Sequence, residues 1–167
     1  MRWIWIDRFL EFQSGKSAKA VKNLSTAEDF FRDHFPGFPV MPAPLILEGL
    51  AQTGGILVGE ANQFQEKVVL AKIPTCKFHR EAVAGEQLRF EVEMLLLRAE
   101  GASVGGRVFV GEDLVAEAEI FFAHLDKARS KQMFGDHNFV FSGELKHLLG
   151  LAQVVAQKGT DRQDSGG

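Results

Sequence analysis

PLILEGLAQTGGILVGE, residues 44–60, carries apolar side chains at 45, 46, 47, 50, 51, 56, 57 and 58. On a helix those positions occupy most of the circumference. The spacing therefore predicts a helix from Pro44 to about Glu60 that is buried on nearly all sides. Pro44 suits its first turn, where a missing N–H costs no intrahelical bond. From Phe35 to Gly59 the only ionisable side chain is Glu48. A charged carboxylate is costly to bury, so Glu48 is expected to be paired, to be held protonated, or to lie at an exposed helix edge.

What surrounds this helix is read from the second half of the chain. In EQLRFEVEM, residues 86–94, Leu88, Phe90, Val92 and Met94 alternate with Gln87, Arg89, Glu91 and Glu93. LVAEAEIFFA, residues 114–123, alternates in the same way. This is the period of strands with one wet face. SVGGRVFV (103–110), bounded by turns at RAEGA and GED, reads as a third strand, and KVVLAKI (67–73), before Pro74, as a fourth. Residues 2–12 and 17–25 read as two more, joined at QSGKS. A helix apolar all round, with a meander of long strands, calls for a sheet that curls around it, since one flat face would leave apolar surface in water. The expected fold class is α+β, a curved antiparallel sheet wrapped around a long central hydrophobic helix. The 15 phenylalanines are expected to fill much of that interface.

Beyond His124 the character changes. SGELKHLLGLAQVVAQ, residues 142–157, places Leu145, Leu148, Leu149, Ala152, Val155 and Ala156 at helical spacing, with Ser142 as N-cap. This predicts an amphipathic helix docked on the sheet or on a partner chain. KGTDRQDSGG, residues 158–167, reads as a polar, disordered tail. The expected organisation is one domain over 1–125, an extension over 126–157 and the tail.

With 167 residues, 46% of them hydrophobic, the chain suits one domain with a proper core. Its net charge of −3 and scattered positive residues offer no basic face to nucleic acid or an anionic membrane. The short cluster Lys127, Arg129 and Lys131 reads as a solvated linker. The single cysteine, Cys76, cannot form an internal disulfide; this fits a reducing compartment, and Cys76 reads as a packing residue. MRWIWIDRFLEF lacks the pattern of a secretory leader, and the uncharged run Phe35–Leu47 is broken by four prolines. These features point to a soluble cytoplasmic protein.

His34 stands on a proline-stiffened loop 14 residues before Glu48. Such a pair offers a base near neutral pH and a carboxyl acid, able together to remove one proton and deliver another. The N-terminus of the helix between them suits a carbonyl oxygen that gains negative charge.

HFPGFPVMPAPLILEGLAQTGGIL, residues 34–57, resembles the signature of the 3-hydroxyacyl-acyl-carrier-protein dehydratases, the FabZ and FabA family. IDRFLEF, AVKNLSTAEDFF, KFHREAVAGEQL and EDLVAEAEIFFA resemble the flanking family segments in order, so the likeness spans roughly residues 4–124. It implies the hot-dog fold and dehydration of a (3R)-3-hydroxyacyl thioester to the trans-2-enoyl thioester, without metal or organic cofactor. It also implies acyl carrier protein as partner and a homodimer or trimer of dimers, each site combining the histidine of one subunit with the carboxylate of the other. Carried over by motif position, His34 takes the C2 proton and Glu48 protonates the departing hydroxyl. Gln52 orients the acid, and Ala43 supplies the N–H that holds the thioester carbonyl. Gly37 belongs to the HFPG turn, and Phe31, Phe35, Phe38, Leu45 and Phe78 are candidates for lining the acyl tunnel. A glutamate where the FabA branch has aspartate favours FabZ.

One departure stands out. The family turn is Met-Pro-Gly and a small apolar residue; here it is MPAP, residues 41–44. Alanine tolerates a left-handed backbone poorly, and Pro44 removes the next donor, so weakened catalysis is one expectation. Alternatives to the dehydratase are a non-catalytic hot-dog subunit that binds acyl chains or a partner enzyme, and, with less support, an acyl thioesterase.

Overall fold

In the computed structural model, residues 3–126 are described, together with Ala128, Lys131, Gln132, His147, Leu148 and Gly150. The element order is β1 (Arg8–Gln13), β2 (Ser17–Asn23), α1 (Asp29–Asp33), α2 (Ala43–Ala61), β3 (Lys67–Phe78), β4 (Gln87–Arg98), β5 (Gly101–Val110) and β6 (Asp113–Leu125). One six-stranded sheet, antiparallel throughout, runs in the order β1-β2-β4-β5-β6-β3. Its concave face wraps α2, which touches every strand from β2 to β6. The curled sheet around a central helix is thus as the apolar periodicity requires.

The helix can sit this close because glycines remove side chains on both sides of the interface. A Cβ at Gly49 of α2 would lie 2.5 Å from the Phe90 ring of β4. A Cβ at Gly106 of β5 would lie 2.7 Å from Leu50. From Gly49 to Gly59 every residue of α2 is buried. Its first turns behave differently: Pro44 is exposed, and Ala43, Leu45, Leu47 and Glu48 are only half-buried. They project past the sheet, so burial on all sides holds for the second part of the helix alone.

Several boundaries differ from expectation for local reasons. Residues 3–6 do not join β1, because the Trp5 N–H donates to Gln52 Oε1 of the helix (2.9 Å) and not to a neighbouring strand. β2 ends at Asn23, and Leu24 N–H turns to the Glu86 carbonyl (2.9 Å). α1 was not anticipated; Phe30 and Phe31, both buried, anchor its single turn beneath Trp5. β3 continues through Pro74 to Phe78, since it is an edge strand whose register shifts between Lys72 and Thr75 and needs no ladder N–H there. Cys76, expected in the packing, lies exposed on that strand. Phe9, Phe30, Phe31, Phe90 and Phe122 do fill the core, whereas Phe35, Phe38 and Phe78 are 53%, 60% and 41% exposed.

The predicted C-terminal helix and tail fall almost wholly outside the described residues, as do Lys127 and Arg129. Of the helix, His147, Leu148 and Gly150 are helical, and Leu148 packs half-buried against the core. Among the described residues no helix is long and apolar enough to cross a membrane.

Candidate active site

His34 caps the C-terminal end of α1, its N–H donating to Phe30 O (2.9 Å). The loop that follows is closed on itself. Phe35 and Phe38 exchange backbone hydrogen bonds (3.0 and 2.9 Å) around Pro36 and Gly37. Gly37 takes φ +81°, which a side chain would resist, and the Pro-Gly pair suits the centre of a tight turn. The His34–Phe35 peptide is cis. Val40 N–H then donates to His34 O (3.0 Å), and the His34 ring returns the contact, Nδ1 lying 3.2 Å from Val40 O. A carbonyl can only accept, so Nδ1 carries the hydrogen. Nε2 of the neutral ring is left with its lone pair, the form a base needs.

His34 lines a cavity of about 350 Å³ with Phe35, Phe38, Ala43, Ile46, Phe78 and the segment His79–Glu81. Met41 N–H donates to Ala82 O (2.8 Å) and ties the loop to that segment. Arg80, in the cavity wall, is gripped by Glu86: Nη2 to Oε1 is 2.9 Å and Nη1 to Oε2 is 3.3 Å. Val83 N–H adds a bond to Glu86 Oε2 (2.9 Å). Burial alone would push the Glu86 carboxyl up, but these donors and the arginine charge outweigh it and hold it below the usual range. The wall is further fixed where His79 Nε2 meets Glu117 Oε1 (3.0 Å).

Ala43 is the first residue of α2, and its φ is not positive, so the feared left-handed strain is absent. Pro44 has no N–H, and Leu45 and Ile46 N–H both reach Pro42 O (2.9 and 3.4 Å). The Ala43 N–H donates to no group among the described residues. The first turn therefore presents one donor, at the wall of the cavity that holds His34.

Glu48 stands elsewhere. It lies roughly 200° around the helix from Ile46 at 100° per residue, and it does not line the cavity. Its Oε1 accepts Gln52 Nε2–H (2.9 Å) and Trp3 Nε1–H (3.1 Å). Gln52, 8% exposed, also accepts Trp5 N–H and donates to Trp3 O (3.2 Å). Glu48 is half-buried, not engulfed, because it sits on the turns that overhang the sheet.

Of the predicted residues, then, His34, Phe35, Phe38, Ala43 and Phe78 share one cavity; Gly37 shapes its loop. Glu48 and Gln52 form a second cluster, Leu45 packs half-buried against the core, outside the cavity wall, and Phe31 is buried in the core itself. The sequence reading missed Trp3, Val40, His79 and Arg80. Val40 acts through its carbonyl, which every residue has, and Trp3 is brought to Glu48 only by the fold.

A family model described as the FabA-like domain matches residues 3–119. The chain belongs to this family. Within it, the curated relatives place the chain on the FabZ branch. The 3-hydroxyacyl-[acyl-carrier-protein] dehydratase FabZ of Pelotomaculum thermopropionicum is 42% identical over 122 residues, covering 72% of this chain and 87% of that protein. The enzyme of the same name from Symbiobacterium thermophilum is 44% identical over 128 residues, covering 75% and 89%. Among solved structures, the dehydratase heterocomplex ApeI:P from Xenorhabdus doucetiae matches with a TM-score of 0.66 at 12% identity, covering 80% of this chain and 91% of that one. The smu.793 protein of Streptococcus mutans bound to acetyl CoA matches with a TM-score of 0.59 at 13% identity, covering 72% and 89%. At these identities the structures speak for the hot-dog fold alone.

Proposed function

We propose that the protein dehydrates (3R)-3-hydroxyacyl-acyl carrier protein to the trans-2-enoyl thioester in fatty-acid biosynthesis, in the cytoplasm; its FabZ relatives are named 3-hydroxyacyl-[acyl-carrier-protein] dehydratases. The observation that carries this is His34, its Nδ1–H held by Val40 O, in one cavity with the unspent N–H of Ala43. The thioester carbonyl accepts the Ala43 N–H, which acidifies the C2 proton. His34 Nε2 removes that proton. The C2–H electron pair becomes the double bond as the C3–O bond breaks, and the Glu48 carboxyl protonates the leaving hydroxyl to give water. The proton on His34 then returns to Glu48, closing the cycle. Phe35, Phe38 and Phe78 offer apolar contact to the acyl chain.

Because His34 and Glu48 lie on opposite sides of α2, each protomer carries two half-sites. A homodimer completes them, with His34 of one subunit facing Glu48 of the other. In support, β3 ends the sheet with residues largely exposed from Leu70 to Phe78, and the half-buried first turns of α2 lack cover. Such dimers can assemble further into a trimer of dimers. Residues 1–125 form the catalytic unit and 126–157 an added extension. The purified protein is expected to generate enoyl-thioester absorbance from a 3-hydroxyacyl carrier-protein substrate. His34→Ala is expected to lower kcat by about 100- to 10,000-fold. Wild-type protein that binds substrate without forming enoyl product would sink the assignment.

A further inference from the structure

Resting on the dehydratase reading, we infer that Trp3 is a positioning residue for the catalytic carboxyl, fixing which Glu48 oxygen handles the proton. Its indole Nε1–H lies 3.1 Å from Glu48 Oε1. The same oxygen accepts Gln52 Nε2–H at 2.9 Å. An indole N–H can only donate, and the Gln52 amide is oriented without ambiguity, since its Oε1 accepts Trp5 N–H (2.9 Å). Both partners therefore require Oε1 to act as acceptor in every protonation state of Glu48. The acidic hydrogen is left to Oε2, the oxygen that meets the substrate hydroxyl.

Trp3 is 59% exposed, yet it is not a loose surface residue. Its carbonyl accepts the other Gln52 amide hydrogen (3.2 Å), so Glu48, Gln52 and Trp3 close a ring of three hydrogen bonds. Its ring stands edge-on to Trp5 at 5.8 Å and 87°, and Trp5 is 1% exposed. Backbone and ring are thus both anchored, and the direction of the N–H follows. Two donors on one oxygen also hold the carboxyl plane in a single orientation, a constraint the Gln52 bond alone leaves free to rotate.

Two substitutions separate this role from packing. Trp3→Phe keeps an aromatic ring on Trp5 but removes the donor. Trp3→His removes the benzo ring but can place Nε2–H close to where the indole N–H stood. The expected result is a fall in kcat of about 10-fold for Trp3→Phe, the scale of one hydrogen bond to a charged group, with KM within about twofold. Trp3→His is expected to recover most of that loss. If Trp3 serves packing alone, Trp3→Phe retains activity and Trp3→His is the worse variant; that order overturns the inference. A second readout is independent of turnover. The Trp3 indole 15N–1H resonance is expected to move on Glu48→Gln substitution by more than that of Trp5, and an unmoved Trp3 resonance also overturns it. Inactive wild-type protein would instead reject the dehydratase reading, so the two failures are told apart.

Discussion

The two sides of α2 differ in what holds their chemistry. On the His34 side, the imidazole proposed as base is fixed by main-chain groups: Val40 O on Nδ1, reciprocal Phe35 and Phe38 bonds, and a glycine at φ +81°. On the Glu48 side, the carboxyl is held by side chains, Gln52 and Trp3. The proposed base is built into a closed loop, whereas the proposed acid is held by Gln52 of its own helix and by Trp3, folded onto that helix from far upstream. One short stretch of sequence thus carries both candidate groups while the fold sets them in separate surroundings.

Changes confined to one side sharpen this contrast. Ala43→Pro leaves a residue suited to the first turn but takes away the one donor at the cavity wall. It is expected to lower kcat by about 100- to 1,000-fold while the Trp3 indole resonance stays in place, as measured by turnover and by NMR. A change at the point both sides share should act on stability. Gly49→Ala would push a Cβ into the Phe90 ring at 2.5 Å, outweighing the helix propensity gained. The expected loss is about 1–3 kcal/mol in denaturant unfolding. Unchanged stability would mean that the helix does not seat as closely as described.

The smallest effect belongs to the cavity wall. The folded Glu86 carboxyl titrates below its ordinary value of 4.5, so its stabilising contribution is complete above that pH and is lost as pH falls through the folded value. Glu86→Gln is expected to cost about 1 kcal/mol at pH 7, and the gap from wild type should close as unfolding is measured toward pH 3. A gap that stays constant with pH would show that Arg80 does not depend on the charge of Glu86.

The wrapped helix was legible because apolar positions around 44–60 and the alternation in 86–94 and 114–123 report burial directly. His34 and Glu48 were singled out by their spacing, and Gln52 and Ala43 by the family resemblance. Which surfaces of the fold they occupy was read only from the structure. Spacing alone says nothing of which side of the helix each residue faces; the helical twist between Ile46 and Glu48 turns Glu48 away from the cavity that holds His34. How far Glu48 is buried was left open for a related reason, since periodicity tells that a helix is apolar but not where the sheet stops covering it. The short helix at Asp29–Asp33 escaped notice because a single turn held by Phe30 and Phe31 leaves no periodic signal. Cys76 and Phe78 lie exposed because strand β3 runs past Pro74 along an edge.

The central claim, that each active site joins His34 of one protomer to Glu48 of another, is tested by mixing two inactive variants. His34→Ala and Glu48→Gln proteins, dissociated and reassembled together in equal amounts, should recover about one quarter of wild-type activity. Half of the dimers are then mixed, and each mixed dimer holds one intact site and one doubly defective site. Reassembled protein that remains as inactive as either variant alone, with mixed dimers confirmed by mass, would place both residues of a site in one protomer and contradict the account.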